Sequence, residues 1–308
     1  MHSNYNKKSE SIESQDSFLA FIKNFILNLY ALIKPGVISL VIFTALCSII
    51  LAPSDKSLFI KSISLILISF GASGSAILNM WYDRFLDKKM DRTKLRPIPS
   101  GGISPNTALS IGLVFSIFSV YGLFFFTNIF AAGLLAFTIV YYSLFYTVVL
   151  KSSTSQNIVI GGLAGALPPV IAWISLTYVD LWNSIIFCLI IFFWTPPHSW
   201  ALAIYRNDDY SKAEVPMYPA IYGFKSTFKL MNFYTLLMLI STNLLFIFGY
   251  NGIFFLITSN ILNLYFIYKL YLLNISKVPK KDAIKLFGFS IMYLFLIFLL
   301  SVIDSFLI

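Results

Sequence analysis

Four polar side chains recur at every fourth position at the end of a long apolar run. They are Asn79, Asp83, Asp87 and Asp91, in the stretch LNMWYDRFLDKKMDRTKLRP. On an α-helix, a step of four residues advances by about 40° beyond a full turn, so Asn79, Asp83 and Asp87 would share one face over two turns. Like charges at this spacing repel by a few tenths of a kcal/mol per pair. The pattern therefore predicts a partner that offsets the repulsion.

A second acidic group follows a later apolar run, in the segment RNDDYSKAEVPMYPAIYGFKSTFK, and consists of Asp208, Asp209 and Glu214. Mg²⁺ takes oxygen ligands and is usually shared between one or two carboxylates and substrate phosphates. Two acidic groups with basic residues between them would suit a diphosphate bridged by Mg²⁺, with Arg and Lys taking the remaining negative charge.

A simpler interpretation of the acids is equally open at this point. A basic stripe runs parallel to them and could neutralise them in surface ion pairs on a solvated helix face. Its members are Arg84, Lys88, Arg92 and Arg96.

The composition is that of a protein that lives in lipid. Of the 308 residues, 58% are hydrophobic and 11% are charged, and the mean hydropathy is +0.82, whereas soluble domains carry about a quarter charged residues. Four uncharged runs exceed the ~20 residues that span a bilayer, at 62–82, 98–150, 181–205 and 230–268. These runs predict an all-α, polytopic membrane protein, because a β-barrel would show alternation instead.

Proline, glycine and polar residues divide the apolar runs into nine predicted spanning helices. Their expected ranges are 36–52, 58–82, the two parts of 107–151 on either side of 125–128, 157–177, 181–205, 230–248, 253–271 and a last helix ending near 303. Residues 1–24 are polar and serine-rich, and we expect a disordered cytoplasmic tail. Residues 25–308 are expected to form a single membrane domain.

Charge placement supports this count. With the tail and the loops after the second, fourth, sixth and eighth helices on one side, only Lys56 and Lys61 of the 22 basic residues fall opposite. Cytoplasmic loops attract Lys and Arg in this way, so we expect a cytoplasmic N-terminus and a C-terminus on the other side. The net charge of +9 then reflects topology, and nucleic acid is not an expected partner.

The stretch NMWYDRFLDKKMDRTKLRPIPSG resembles the N-x-x-x-D-x-x-x-D signature of the UbiA-type intramembrane prenyltransferases. Several blocks are similar to the heme-farnesylating branch of that family: MDRTKLRP, IKPGVISL, YTVVLK, GGLAGALPPVIAW, WTPPHSWALAIYRNDDY and AEVPMYP. They cover the first six predicted helices, whereas the last three carry no distinctive motif.

The resemblance implies a nine-helix bundle with a central cavity open to lipid. It implies Mg²⁺-dependent transfer of a farnesyl group from farnesyl diphosphate to a vinyl group of heme b, which is a substrate and not a cofactor. The products are diphosphate and heme O, which serves terminal oxidases, so a downstream heme-modifying enzyme or an oxidase is a further expected partner. The expected location is the bacterial inner membrane, with the mouth of the site facing the cytoplasm.

In family terms, Asn79, Asp83 and Asp87 match the first metal–diphosphate motif, and Asp209 matches an acid of the second. Asp83, Asp87 and Asp209 are therefore the expected catalytic residues, and all four are expected metal ligands. Asp208 is either a further ligand or a neighbour that adds negative charge.

The second motif departs from the family pattern. That pattern is D-x-x-x-D, but the position four residues after Asp209 is Ala213, and the next acid is Glu214. The basic residues expected to contact diphosphate are Arg92, Arg96, Lys151 and Arg206.

His198, in TPPHSW, is the only histidine apart from His2. A lone histidine at membrane depth often only bonds a neighbouring helix, but ionisable groups there are functional candidates and imidazole can ligate heme iron. We hypothesise that His198 contacts heme. Two alternatives to heme farnesylation stay open: a prenyltransferase acting on an aromatic acid or quinone precursor, and a cation-coupled secondary transporter.

Overall fold

A computed structural model describes residue 20, residues 22–212 and residues 215–307. Within these ranges every regular element is helical. We number the helices in chain order: α1 Ile22–Leu32, α2 Pro35–Leu51, α3 Leu58–Lys89, α4 Pro105–Phe126, α5 Ile129–Ser153, α6 Asn157–Ile174, α7 Leu181–Tyr205, α8 Asn207–Lys212, α9 Tyr218–Ile247, α10 Ile253–Asn274 and α11 Pro279–Asp304.

The helices identify an integral membrane protein. In the described part of the chain, eight helices are each long and apolar enough to cross a bilayer. The pair α1 and α2 meets at a bend of 60° and makes a ninth span if it is counted as one. The upper count agrees with the nine predicted helices, while the orientation of the termini stays a prediction.

Three helix boundaries differ from those expected. Helix α3 continues to Lys89, seven residues beyond its predicted end, and α9 begins at Tyr218 with a kink at Gly223 (φ 76°). Helix α1 begins at Ile22, inside the segment predicted as tail, while residues 1–19 and 21 lie outside the described residues. The predicted end of α3 lies where charged residues begin, but Arg and Lys are good helix formers and the helix continues through them.

Two helices are irregular near the centre of the bundle. Residues Tyr141–Leu150 of α5 form a π-helix, an uncommon geometry that is often found at functional sites. Thr147 Oγ1 donates to the Tyr142 carbonyl five residues earlier, at 2.7 Å. Helix α6 restarts at Pro168, since proline removes a backbone hydrogen-bond donor and disfavours a helix interior, whereas Pro196–Pro197 lie inside a continuous α7.

The apolar core has two main parts. One part is formed by α2, α3, α5 and α6 around Ile68, Leu135 and Trp173. The other is formed chiefly by α7, α9, α10 and α11 around Phe187 and Phe298. Small residues bring α3 and α4 close together, since a Cβ added at Gly74 would lie 2.9 Å from the Gly112 carbonyl oxygen.

A buried carboxylate, that of Asp304, lies at the end of the bundle at which α2, α9 and α11 end. Asp304 is fully buried. Its oxygens accept from Asn251 Nδ2 at 3.0 Å, from the Gly252 amide at 2.6 Å and from the Phe255 amide at 3.0 Å. Two of these donors belong to the first turn of α10 and its preceding residue, whose amides have no partner within the helix. Asp304 therefore joins the start of α10 to the end of α11.

Replacing Asp304 with alanine is expected to lower the free energy of unfolding by at least about 2 kcal/mol, because an unpaired buried donor costs about 1–3 kcal/mol. Thermal unfolding of the protein in detergent would report this as a lower Tm. Asp55→Ala is the matched control, since Asp55 is exposed in the loop before α3. Equal Tm values for the two variants would contradict this role for Asp304.

Candidate active site

The three polar residues on one face of α3 are buried. Asn79, Asp83 and Asp87 are 4%, 4% and 2% exposed, and all three line a cavity of about 190 Å³. Asp91 lies beyond the end of α3, where it is exposed and pairs with Lys94 at 2.7 Å. The hydrogen bond from Lys94 lowers the pKa of Asp91. The solvated-face interpretation is therefore wrong for Asp83 and Asp87 but describes Asp91.

Each of the three buried residues meets a different basic side chain. Lys34 Nζ donates to Asn79 Oδ1 at 2.6 Å, and Lys151 Nζ lies 2.6 Å from Asp83 Oδ2. One nitrogen of Arg96, Nη1, lies 2.9 Å from both carboxylate oxygens of Asp87. These contacts offset the repulsion that the spacing of the acids creates. We call this set of six residues the cradle.

Asn79 is fixed in orientation by its neighbours. Its amide nitrogen donates to Asp83 Oδ2 at 2.9 Å and to Thr147 Oγ1 at 3.0 Å, while its oxygen accepts from Lys34. The π-helical segment of α5 thus contributes Thr147, and Lys151 follows directly after it. The amide oxygen and both carboxylates are held in place before any ligand arrives.

Local backbone geometry brings the other two basic groups to the cradle. Lys34 precedes Pro35 and adopts a left-handed conformation (φ 54°, ψ 62°) at the bend between α1 and α2, as a residue before proline is disfavoured in the right-handed helical region. Arg96 lies in the turns after α3, where Thr93 Oγ1 donates to the Asp87 carbonyl at 2.9 Å. That bond satisfies a carbonyl left open at the helix end.

The structure does not bring the second acidic group into this cavity. Asp208 is exposed and pairs with Lys280 at 2.7 Å, and the hydrogen bond from Lys280 lowers its pKa. This position gives no support to Asp208 as a metal ligand, because a surface lysine already neutralises it. Glu214 lies outside the described residues.

Asp209 and Arg206 lie near the cavity but do not line it. Asp209 is buried, and its Oδ2 has no hydrogen-bond partner among the described residues. Arg206 Nη1 is 3.8 Å away from that oxygen. Of the four predicted diphosphate-binding residues, three line the cavity, namely Arg92, Arg96 and Lys151. Arg206 does not line it.

The donor set of the cradle suits Mg²⁺ held together with a phosphate ligand. In the described part of the chain, no three His, Cys, Asp or Glu side chains are grouped so that they could hold a metal by themselves. Two carboxylates and an amide oxygen are hard donors, and Mg²⁺ commonly takes one or two carboxylates and completes its shell with substrate phosphates and water. Four basic side chains also face the cavity: Lys34, Arg92, Arg96 and Lys151. This excess of basic groups fits a polyanion.

Two apolar cavities adjoin the cradle. One has a volume of about 340 Å³ and lies between α2, α5, α6, α7 and α11. The other has a volume of about 230 Å³ and lies between α2, α3, α5 and α6. Tyr142 of the π-helical segment lines both of them and the polar cavity as well. A polyanionic group and two apolar groups could thus meet at one point.

His198 lines the larger apolar cavity. Its ring is stacked on Trp194 at 4.1 Å and on Phe287 at 4.6 Å between ring centroids. Its Nδ1 lies 2.6 Å from Ser290 Oγ, and that hydroxyl donates to the Phe287 carbonyl at 2.6 Å. Ser290 therefore accepts from Nδ1–H, which leaves the lone pair on Nε2, the tautomer that a metal-ligating histidine needs.

Sequence reasoning missed several residues of the site. Lys34 was counted only as one of the basic residues of the cytoplasmic side, and Thr147, Tyr142 and Tyr146 were not singled out. The tyrosines recur four residues apart just before Lys151, which is a usable signal. The contact of Thr147 with Asn79 depends on the π-helical geometry, which no sequence pattern indicated.

Comparison with known proteins agrees with this architecture. Residues 40–299 match the model of the UbiA prenyltransferase family. A protoheme IX farnesyltransferase of Pelagibacter ubique is 47% identical over 280 residues, which cover 90% of this chain and 92% of the relative. A protoheme IX farnesyltransferase of Rickettsia felis is 47% identical over 279 residues, 91% of this chain and 90% of the relative.

Solved structures share the fold. A structure described as digeranylgeranylglyceryl phosphate synthase superimposes with a TM-score of 0.77 at 19% identity and covers 92% of this chain and 99% of its own. A UbiA homologue from Archaeoglobus fulgidus bound to GPP and Mg²⁺ superimposes with a TM-score of 0.60 at 16% identity, with coverage of 88% and 99%.

The cradle is expected to bind inorganic diphosphate in the presence of Mg²⁺. Asp83→Asn and Asp87→Asn should each weaken this binding at least tenfold, since each removes one buried carboxylate while keeping the shape of the side chain. Asp91→Asn is the matched control from the same four-residue series and should bind as the wild type does. Isothermal titration calorimetry on the protein in nanodiscs measures the affinities. Equal weakening by all three substitutions would contradict the separation of Asp91 from the cradle.

Proposed function

This chain belongs to the UbiA prenyltransferase family, and we propose that it transfers a farnesyl group from farnesyl diphosphate to a vinyl group of heme b. The products are heme O and diphosphate. The observation that carries the proposal is the buried Asn79–Asp83–Asp87 face, which meets three basic side chains and adjoins two apolar cavities. The relatives at 47% identity are named for this reaction.

The cradle holds the diphosphate of the prenyl donor. Lys34, Lys151 and Arg96 turn from the protein oxygens towards phosphate oxygens, and Arg92 adds a fourth basic group. When bound to Asn79, Asp83 and Asp87, Mg²⁺ would neutralise negative charge on the diphosphate. The Archaeoglobus fulgidus homologue binds GPP and Mg²⁺, which supports this arrangement. Asp209 is proposed as the acid of the second motif, with Arg206 beside it.

The first chemical step breaks the allylic C–O bond of farnesyl diphosphate. The bonding electrons leave with the diphosphate oxygen, and an allylic cation remains on the farnesyl group. Arg96, Lys151, Lys34 and Arg92 stabilise the leaving diphosphate more strongly as its charge grows, so they lower the barrier and not merely the energy of the bound substrate.

The second step joins the two substrates. The π electrons of a heme vinyl group attack the terminal carbon of the farnesyl cation and form a new C–C bond. The carbon next to the porphyrin becomes cationic, adds water and loses a proton, which gives the hydroxyethylfarnesyl side chain. The apolar cavities keep bulk water away from the first cation. The faces of Tyr142 and Tyr146, which line both the polar and the larger apolar cavity, can stabilise its charge.

The polar end of the cavity is proposed to face the cytoplasm of a bacterial inner membrane. The basic residues gather at the ends of α3, α5 and α10, in the turns after α3, just after α7 and at the starts of α9 and α11, as the positive-inside rule requires of cytoplasmic loops. The diphosphate would then remain in the polar mouth while the apolar groups extend into the membrane part of the protein.

His198 is proposed to contact the heme substrate through Nε2. Its position in the larger cavity, the stacked aromatic neighbours and the bond from Nδ1–H to Ser290 support a preset orientation towards a ligand. Imidazole is a common axial ligand of heme iron.

The function is tested by incubating the purified protein with heme b, farnesyl diphosphate and Mg²⁺ and analysing the products by mass spectrometry. We expect a heme that has gained one farnesyl group and one water molecule, together with free diphosphate. Prenylation of hydroxybenzoate or naphthoate, with heme left unchanged, would contradict the assignment and favour a quinone-precursor prenyltransferase.

His198→Ala is expected to weaken heme b binding at least tenfold while the affinity for farnesyl diphosphate stays within twofold of wild type. Titration of the heme Soret absorbance measures the first quantity, and displacement of labelled farnesyl diphosphate measures the second. Ser290→Ala keeps the imidazole but removes its partner, so it should weaken heme binding less. Unchanged heme affinity in His198→Ala would leave His198 as a packing residue only.

A further inference from the structure

We propose that the two apolar cavities divide the two substrates between them. The 230 Å³ cavity between α2, α3, α5 and α6, here the tail branch, holds the isoprenoid chain. The 340 Å³ cavity that contains His198, here the porphyrin branch, holds the heme macrocycle. Ile68 and Ala72 in the tail branch set the length of isoprenoid that the protein accepts. This inference rests on the proposed function and assigns the parts of its site.

The tail branch begins at the groups that hold the diphosphate. Lys34 and Arg96, which contact Asn79 and Asp87, line both the polar cavity and the tail branch. Neither of these basic residues lines the porphyrin branch. A chain attached to the diphosphate therefore enters the tail branch directly from the cradle.

The side chains that line the tail branch and the porphyrin branch differ, and each lining suits the substrate assigned to it. Apart from Lys34, Arg96 and Tyr142 at its entrance, the tail branch is lined by aliphatic, small and hydroxyl side chains and most of these are buried, as at Ile68, Leu135 and Ile171. Such an enclosed lining suits a flexible chain with no polar atoms.

The porphyrin branch is larger, more aromatic and more open. Trp194, Phe287 and His198 line it, and its rim includes the exposed Gly36 and Ile291, which is 40% exposed; neither of these two lines the tail branch. Flat aromatic faces match a planar macrocycle by stacking. An open rim also lets the two heme propionates stay outside the apolar interior, where unpaired charges would be costly.

The tail branch has the length of a farnesyl chain. Its residues on α3 run from Ala76 through Ala72 to Ile68, and the eleven-residue step from Asn79 in the cradle to Ile68 rises by about 16 Å. A farnesyl main chain of about twelve carbons spans roughly 13 Å at ~1.2 Å per bond, the value implied by a fully extended polypeptide. Ile68 therefore lies at the far end, and Ala72, about 10 Å from Asn79, lies near the end of the second isoprene unit.

Tyr142 marks the point at which the branches join. It is the residue that lines the polar cavity and both branches within the described part of the chain. The reactive carbon of the farnesyl group lies next to the diphosphate, so a tail in one branch and a porphyrin in the other bring that carbon and a vinyl group together beside Tyr142. Separate branches also keep one substrate from filling the space of the other.

The test measures binding in the absence of heme, so it does not depend on heme transfer. Labelled farnesyl diphosphate is first bound to the protein in nanodiscs in the presence of Mg²⁺. It is then displaced by unlabelled geranyl, farnesyl or geranylgeranyl diphosphate. Ala72→Phe should shift the preference for geranyl over farnesyl diphosphate at least tenfold, because the ring occupies the space of the third isoprene unit. Ile68→Ala should improve the relative affinity for geranylgeranyl diphosphate at least threefold, a gain that a folding defect cannot produce.

Ile291→Trp is the matched control in the porphyrin branch. It should leave the chain-length preference within twofold of wild type and should weaken heme b binding at least fivefold in a Soret titration. Unchanged chain-length preference in both tail-branch variants, or a shift in Ile291→Trp alone, would overturn the assignment of the branches. A failure of the proposed function shows separately, as wild-type protein that binds prenyl diphosphates but forms no farnesylated heme.

Discussion

The site depends on the burial of Asp83 and Asp87 against cationic partners at the end of an apolar bundle. A buried carboxylate without a partner costs several kcal/mol, so the fold must bring Lys151 from α5 and Arg96 from the turns after α3 to these two positions. A paired charge in such a place adds little net stability. The lysine and arginine can therefore exchange carboxylate oxygens for phosphate oxygens only if another cation replaces them at Asp83 and Asp87, which is the role proposed for Mg²⁺.

Much of the fold follows from the amino-acid sequence, because a bilayer allows few solutions. Long apolar runs in lipid must be helical to satisfy their backbone groups, and punctuation by proline, glycine and polar residues located most helix ends. Leu181–Tyr205, for example, is bounded by Asp180 and Arg206. The extension of α3 to Lys89 was not predicted. Hydropathy marks where charge begins, but whether charged residues continue a helix depends on partners that lie far away in the chain.

The sequence indicated the chemistry of the site better than it indicated which residues form the site. Four-residue spacing placed Asn79, Asp83 and Asp87 on one face, and Arg96 and Lys151 followed from blocks that resemble the family. Lys34 and Thr147 reach the same point only through a left-handed residue at a helix bend and a π-helical segment. The sequence left Asp208 as either a further ligand or a neighbour that adds negative charge, because its contact with Lys280 depends on the packing of α8 near α11.

The central claim is that the carboxylates of the cradle bind a metal that is shared with diphosphate. Electron–nuclear double resonance on Mn²⁺ in place of Mg²⁺ tests it directly, because coupling to ³¹P reports phosphate oxygen in the metal shell. We predict ³¹P coupling from protein-bound Mn²⁺ with farnesyl diphosphate in the wild type and in Asp91→Asn, and its loss in Asp83→Asn and Asp87→Asn. Coupling that persists unchanged in both of the last two variants would contradict the account.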